Sequence, residues 1–281
     1  MSEQTLQAVA CFALATNDPD RLTRFYCDVL GFAAHGPASP IDDSEIELLG
    51  LSGSGRRHTL SFGEQILWID HFEQAGRPYP VNGNAASLWF QHLALVVGDM
   101  RDAYDRLRDI TPISHGQPQL LPISSGGVQA FKFRDPDGHP LELLQFPSGQ
   151  MPDAWRRRSR LEGQLGLGID HSAISVTDAQ ASALFYEALG LSAGERMLNQ
   201  GQAQQDLDGL PGVKVEVVPL SPCVGTPHLE ILGYRTPRGQ AGPVLHANDV
   251  AATRIVWHGR EARLITDPDG HLQQVRPKHH P

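Results

Sequence analysis

Short runs of apolar residues, each closing on an aspartate, recur along the chain. Cys11 to Asp18, His92 to Asp99 and His171 to Asp178 all place the Asp seven residues after the first position. Within two of these runs the residues alternate. His171, Ala173 and Ser175 fall on one side of the run, and Ile174 and Val176 on the other; His92, Ala94 and Val96 likewise oppose Leu93, Leu95 and Val97. A period of two predicts strands whose bulky side packs on a helix and whose small side, headed by a His, can line a cavity. After the Asp, a helix is predicted. Phe25-Tyr26 and Leu30-Gly31 in the first copy match Phe185-Tyr186 and Leu189-Gly190 in the third, each Phe seven residues past its Asp. Asn17 or Asp18 can cap the first helix, Pro19 suits its first turn, and Gly31 stands where a left-handed stop is expected.

The second half of each unit has its own signature. Asp135-Pro136-Asp137-Gly138-His139 and Asp267-Pro268-Asp269-Gly270-His271 are turns preceding a final strand, and Phe131–Phe133 with Leu141–Leu144 flank the first as a hairpin. A fourth start is read in Val244 to Asp249, followed by a helix-like stretch to Trp257. Asp18, Asp99, Asp178 and Asp249 then stand 81, 79 and 71 residues apart, so the chain reads as four copies of one strand-helix-strands module. Phe146 to Gly166, with Pro147, Gly149, Pro152 and an arginine run, breaks the periodicity. It predicts a linker at 147–166 between an N-terminal domain, 1–146, and a C-terminal domain, 167–281.

Composition and charge narrow the function. With 23 basic and 32 acidic residues the net charge is −9, which argues against a phosphate-backbone binder, since only Arg156-Arg157-Arg158 with Arg160 opposes it. Cys11, Cys27 and Cys223 are three, scattered and outside any Cys-x-x-Cys pattern, so neither a disulfide framework nor a thiolate zinc site is suggested and a reducing cytoplasm fits. The start Met1-Ser2-Glu3-Gln4 is not that of a signal peptide, and no apolar run nears the roughly 18 residues that span a bilayer. The expectation is a cytoplasmic protein with a small-molecule substrate and neither nucleic acid nor membrane as partner.

Four βαβββ-like modules with a His at the head of a strand and a Glu after Asp-Pro-Asp-Gly-His resemble the vicinal oxygen chelate superfamily, which includes glyoxalase I, extradiol dioxygenases and bleomycin-resistance proteins. The resemblance covers nearly the whole chain and is most evident in His92 to Asp99, Gly127 to Phe146 and His171 to Gly190. It implies an α+β fold in which modules pair to make curved mixed sheets around a divalent metal. Carried over by position, the ligands are His92 and Glu142 from module two and His171 and Glu230 from module three. Module one offers Cys11 and Trp68, and module four Gly242 and Gln273. Modules two and three therefore pair in one sheet and one and four in the other, so that the four retained ligands converge.

The function implied is that of a metal-dependent isomerase or lyase of glyoxalase type. One divalent ion, nickel, cobalt, zinc or iron, would bind adjacent substrate oxygens while Glu142 or Glu230 moves a proton. The rivals are an extradiol-type iron dioxygenase and a non-catalytic ligand-binding protein of the resistance type. Either a monomer or a homodimer is compatible. His139 and His271 belong to turns and read as structural; His228, two residues before Glu230, shares its face and competes as a ligand. Cys11 reads as a packed apolar residue.

Overall fold

Ala8–Ala15, Gln91–Val97 and Gly166–Val176 are strands, as the three apolar runs predict. Asp18, Asp99 and Asp178 cap the helices Pro19–Arg24, Met100–Arg106 and Ala179–Ala188, each carboxylate accepting a backbone N–H of the first turn. The first helix continues as a wider turn over Phe25–Val29 and stops at Gly31, whose φ of 80° a side chain would resist. These features come from a computed structural model describing residues 5–157, 165–223 and 225–278. Arg158 and Arg160 of the arginine run lie outside those residues.

Two mixed sheets, of eight and ten strands, build the molecule. In the first, Arg254–Gly259 pairs antiparallel with Ala8–Ala15; Leu272–Pro277 and Arg263–Thr266 extend one flank, and Gln65–Phe72 and Gly55–Phe62 the other. In the second, Gly166–Val176 pairs antiparallel with Gln91–Val97. His228–Thr236 and Lys214–Ser221 lie to one side of that pair, Pro140–Gln145 and Gln129–Arg134 to the other. The first sheet thus joins the two ends of the sequence, and the second sets modules two and three, from its middle, side by side. A single apolar cluster takes Phe12 and Ile255 from the first sheet, Leu95 and Ile174 from the second, and Tyr26 and Tyr186 from the helices.

The aspartate-rich turns join consecutive modules. Tyr26 donates to Asp135 at 3.1 Å, and His139 bridges Asp135 and the Ala15 carbonyl. The same arrangement recurs where Tyr186 donates to Asp267 at 2.9 Å and His271 reaches the Ser175 carbonyl.

The fourth module departs from the predicted repeat. Its first strand is Arg254–Gly259, not a run from Gly242, and Arg263–Thr266 follows after three residues, so no helix separates them. Trp257, expected at a helix end, is a buried strand residue. Asp249 sits in a turn, accepting the His246 N–H and the backbone and Nε groups of Arg77. An Asp reaches nearby backbone N–H groups in turns and helix caps alike, which is why the two look the same in sequence. Gly242 packs against Trp89 in a loop. Gln273 faces the core, accepting from Trp257 Nε1 at 2.8 Å and donating to the Tyr186 hydroxyl at 3.0 Å. Register gives the true equivalents: Ala94 beside Glu142, Ala173 beside Glu230, Ala13 beside Trp68 and Val256 beside Gln274. Module four therefore contributes Arg254 and Gln274, not Gly242 and Gln273.

The described residues of the segment predicted as linker include regular structure. A short helix, Asp153–Arg156, buries Trp155, and Gly166 already belongs to the next strand. Cys11 is buried, Cys27 half-buried and Cys223 exposed, all as free thiols. No helix among the described residues is long and apolar enough to cross a membrane.

Candidate metal centre

Four neighbouring strands of the ten-stranded sheet carry His92, Glu142, His171 and Glu230. Across the central antiparallel pair, His92 faces Ala173 and Ala94 faces His171; the parallel neighbours then set Glu142 beside Ala94 and Glu230 beside Ala173. Two imidazoles and two carboxylates so surround a pair of alanines, whose small side chains leave the centre open. On the other face of the same strand Leu93, Leu95 and Val97 enter the core and fix the register.

Three of the four groups converge closely. One ligand atom from each of His92, Glu142 and His171 lies within 4.8 Å of the other two. His92 Nε2 is 2.8 Å from Glu142 Oε2, and the His92 and His171 rings are 5.6 Å apart between centroids. Glu230 stands just outside that group, with Oε2 3.6 Å from His171 Nε2 and Oε1 3.4 Å from His228 Nε2.

Two supporting carboxylates escape the sequence pattern. The pairing of Gly166–Val176 slips between Ile169 and His171, a bulge that inserts Asp170 as an extra residue. Asp170 thereby lies beside its neighbour, accepting from His171 Nδ1 at 3.0 Å and from Trp155 Nε1 at 2.9 Å. With Nδ1 so engaged, the Nε2 of His171 is the nitrogen left for the cavity. Asp208, at the end of the helix Gln202–Asp208, accepts from Lys132 Nζ at 2.7 Å, Gln204 at 2.8 Å and Tyr234 at 3.1 Å. Lys132 is the cross-strand partner of Glu142, and its Nζ lies 3.9 Å from Glu142 Oε2.

Electrostatics follows from this packing. Burial pushes the Glu142 carboxyl up, but Lys132 and the imidazoles of His92 and His171 outweigh it and hold the group at about 2. Glu230 is likewise raised by burial and brought down to about 2 by His171 and His228. His171 is lowered by burial and raised to about 9 by Glu230, Asp170 and Glu142. His92 goes the other way, depressed by burial and then by the Lys132 charge.

The donors fit a divalent cation. His92 is 1% exposed, yet neither ring nitrogen makes a hydrogen bond, since the close Glu142 oxygen is poorly aligned for one. A buried nitrogen without a partner is costly, and a cation accepting its lone pair removes that cost. Imidazole with carboxylate suits zinc, cobalt, nickel and iron. Beside this cluster a cavity of about 460 Å³ is walled by Leu121, Val128, Leu144, Leu207, Val217 and Leu232.

Residues 8–143 match the sequence model of the Glyoxalase/Bleomycin resistance protein/Dioxygenase superfamily. Among solved structures, a mutant of glyoxalase I from Zea mays matches with a TM-score of 0.60 at 14% identity, over 96% of this chain and 93% of that one. A second mutant of the same enzyme gives 0.58 at 15% identity, over 96% and 92%. A Bacillus subtilis protein provisionally described as a dioxygenase gives 0.57 at 14% identity, over 97% of this chain and 85% of its own. Identities this low carry the fold alone. No curated protein sequence matches the chain. Residues 8–143 thus match the sequence model of that superfamily, and the chain shares the fold of the glyoxalase I structures along nearly its whole length.

Proposed function

We propose that His92, Glu142 and His171 hold one divalent ion, that Glu230 stands at its edge, and that the protein is a metal-dependent isomerase or lyase acting on a small molecule with two adjacent oxygens. The observation that carries this reading is the buried, unpartnered imidazole of His92 facing Glu142 and His171 across the seam between modules two and three. An ion there would act as a Lewis acid toward both substrate oxygens, easing loss of a proton from a carbon that bears one of them.

The two glutamates divide the remaining work. Glu142 is pinned between His92 and Lys132 and anchors. Glu230 lies outside the tight cluster, with only the imidazoles of His171 and His228 within ion-pair distance among the described residues, so it is the carboxylate placed to take a proton from carbon and return it to the neighbouring atom. Asp170 fixes the His171 ring, and the apolar walls keep water from the carbanion-like substrate.

Elemental analysis of protein purified without chelators tests the reading. Wild type is expected to carry one ion per chain, His92→Ala and His171→Ala to lose it, and His228→Ala to keep it. Retention by His92→Ala with loss in His228→Ala would move the ion to the neighbouring Asp170, His171 and His228 group. Glu230→Gln is expected to keep the fold and lose turnover.

A second reading has its own support. Two imidazoles and one carboxylate in the tight group, with Glu230 aside, form the ligand set of non-haem iron dioxygenases. Oxygen uptake on addition of catechols to iron-loaded protein would favour it over isomerisation.

A further inference from the structure

The eight-stranded sheet has a cavity of its own. The strand Ala8–Ala15 slips register between Val9 and Cys11, as Gly166–Val176 does between Ile169 and His171, so Ala10 and Cys11 stand where Asp170 and His171 stand in the other sheet. The four positions that carry imidazoles and carboxylates there are Cys11, Trp68, Arg254 and Gln274 here. No metal-ligating set is left among them. Arg57 and Arg254 instead both bind the buried Asp70, Arg57 also binds Glu45, and these two cations and two anions neutralise one another.

None of these four lines the sheet's opening of about 430 Å³. Its walls are apolar: Ala10, Ile66, Trp68 and Pro277, over a patch that includes Cys11, Ala13 and Val256. Its charged groups are of one sign. Arg276 and Lys278 line it, and among the described residues neither has a carboxylate within ion-pair reach. The Arg276 guanidinium sits 5.4 Å from the centre of the Trp68 ring. His258 joins them with an enclosed Nδ1 that has no hydrogen-bond partner. Burial, then the positive charges of Arg276 and Lys278, lower its proton affinity, so the three basic groups face one space. An unpaired positive cleft in a chain of net charge −9 is a local inversion of the protein's field, and it concentrates anions.

We propose that this cavity is a second, metal-independent binding site for a small organic carboxylate with a flat apolar body. The carboxylate meets Arg276 and Lys278, with His258 offering a further polar contact, while the body rests against Trp68 and Ile66. A guanidinium fork suits a carboxylate geometrically, and the volume suits a molecule of one or two rings. Neither a free metal ion nor a cationic ligand fits these surroundings.

The test is calorimetric titration of the metal-free protein with 2-naphthoate, and with 2-naphthalenemethanol as the uncharged control. Wild type is expected to bind the naphthoate with a Kd below about 1 mM, and the alcohol about tenfold or more weakly. The double variant Arg276→Gln, Lys278→Gln changes only side chains at the rim and is expected to weaken naphthoate by about tenfold or more while leaving the alcohol as it was. Added salt should weaken only the naphthoate. The proposal fails if wild type does not bind naphthoate at that concentration, if it binds both compounds alike, or if the double variant binds naphthoate as wild type does, which would place the ligand in another cavity.

Discussion

Lys132 and Asp208 are both buried, and each is the other's closest charge. Removing one partner strands a buried charge, so Lys132→Met or Asp208→Leu is expected to lower stability by about 3 kcal/mol or more, whereas the two together should cost well under the sum. Urea unfolding of the four proteins, metal-free, measures the coupling; strictly additive losses would show that the pair does not act as a unit. The neighbouring groups also set a pH window for the metal-free protein. His171 is held at about 9, above its unfolded value of about 6.5, so its contribution is full below 6.5 and is lost as pH rises through 9. Glu142 and Glu230 are held at about 2, below the ordinary glutamate value of 4.5, so theirs is present above 4.5 and lost as pH falls through 2. Melting temperature from pH 3 to 9.5 should therefore peak between about 4.5 and 6.5, and His171→Gln should flatten the alkaline limb. His92, Glu142, His171 and Glu230 are legible as candidates because the resemblance of the repeated modules to the superfamily places ligands on their first and last strands. Lys132, Asp170 and Asp208 are not. Asp170 reaches the site through a bulge that breaks alternation, and Asp208 reaches Lys132 from a helix 76 residues away, a contact made only by the fold.

At the scale of elements, the turn Asp135–His139 shows how a chemically conspicuous motif can be structural. His139 is 1% exposed, with Nδ1 2.8 Å from Asp135 and Nε2 3.1 Å from the Ala15 carbonyl. Both nitrogens face acceptors, the arrangement of a charged imidazolium; burial opposes the charge, and Asp135 with Asp137 raises the proton affinity nonetheless. His139→Gln is expected to cost about 3 kcal/mol by leaving the Asp135 carboxylate underpaired, while metal content stays at the wild-type level. A variant that lost the ion but kept its stability would make His139 a ligand instead. The turn chemistry, the caps at Asp18, Asp99 and Asp178, and the alternating strands were readable because each is set by residues close in sequence. Module four departs from the repeat for the same reason: the local signature is an Asp-capped helix, no helix separates its first two strands, and the Asp-centred turn at Asp249 has the same sequence chemistry as a cap.

At the scale of the molecule, the central seam of each sheet joins the N-terminal half of the sequence to the C-terminal half. Gln91–Val97 meets Gly166–Val176, and Ala8–Ala15 meets Arg254–Gly259, in each case by antiparallel pairing of the innermost strands. The candidate ligands straddle the first seam, with His92 and Glu142 on one side and His171 and Glu230 on the other. Cutting the chain within 158–164 would leave two pieces, each with two unpaired inner strands whose apolar faces and free backbone groups invite association. Residues 1–157 and 165–281, produced separately, are expected to aggregate or self-associate. Refolded together they should form a one-to-one complex that binds one ion per pair, with an affinity for each other that falls when Ala94 or Ala173 is replaced by a bulky residue at the seam. Light scattering with elemental analysis of each piece and of the mixture decides the matter. A monomeric 1–157 piece that folds and holds a full complement of metal alone would mean that a pairing within the N-terminal half, not the seam between modules two and three, makes the centre.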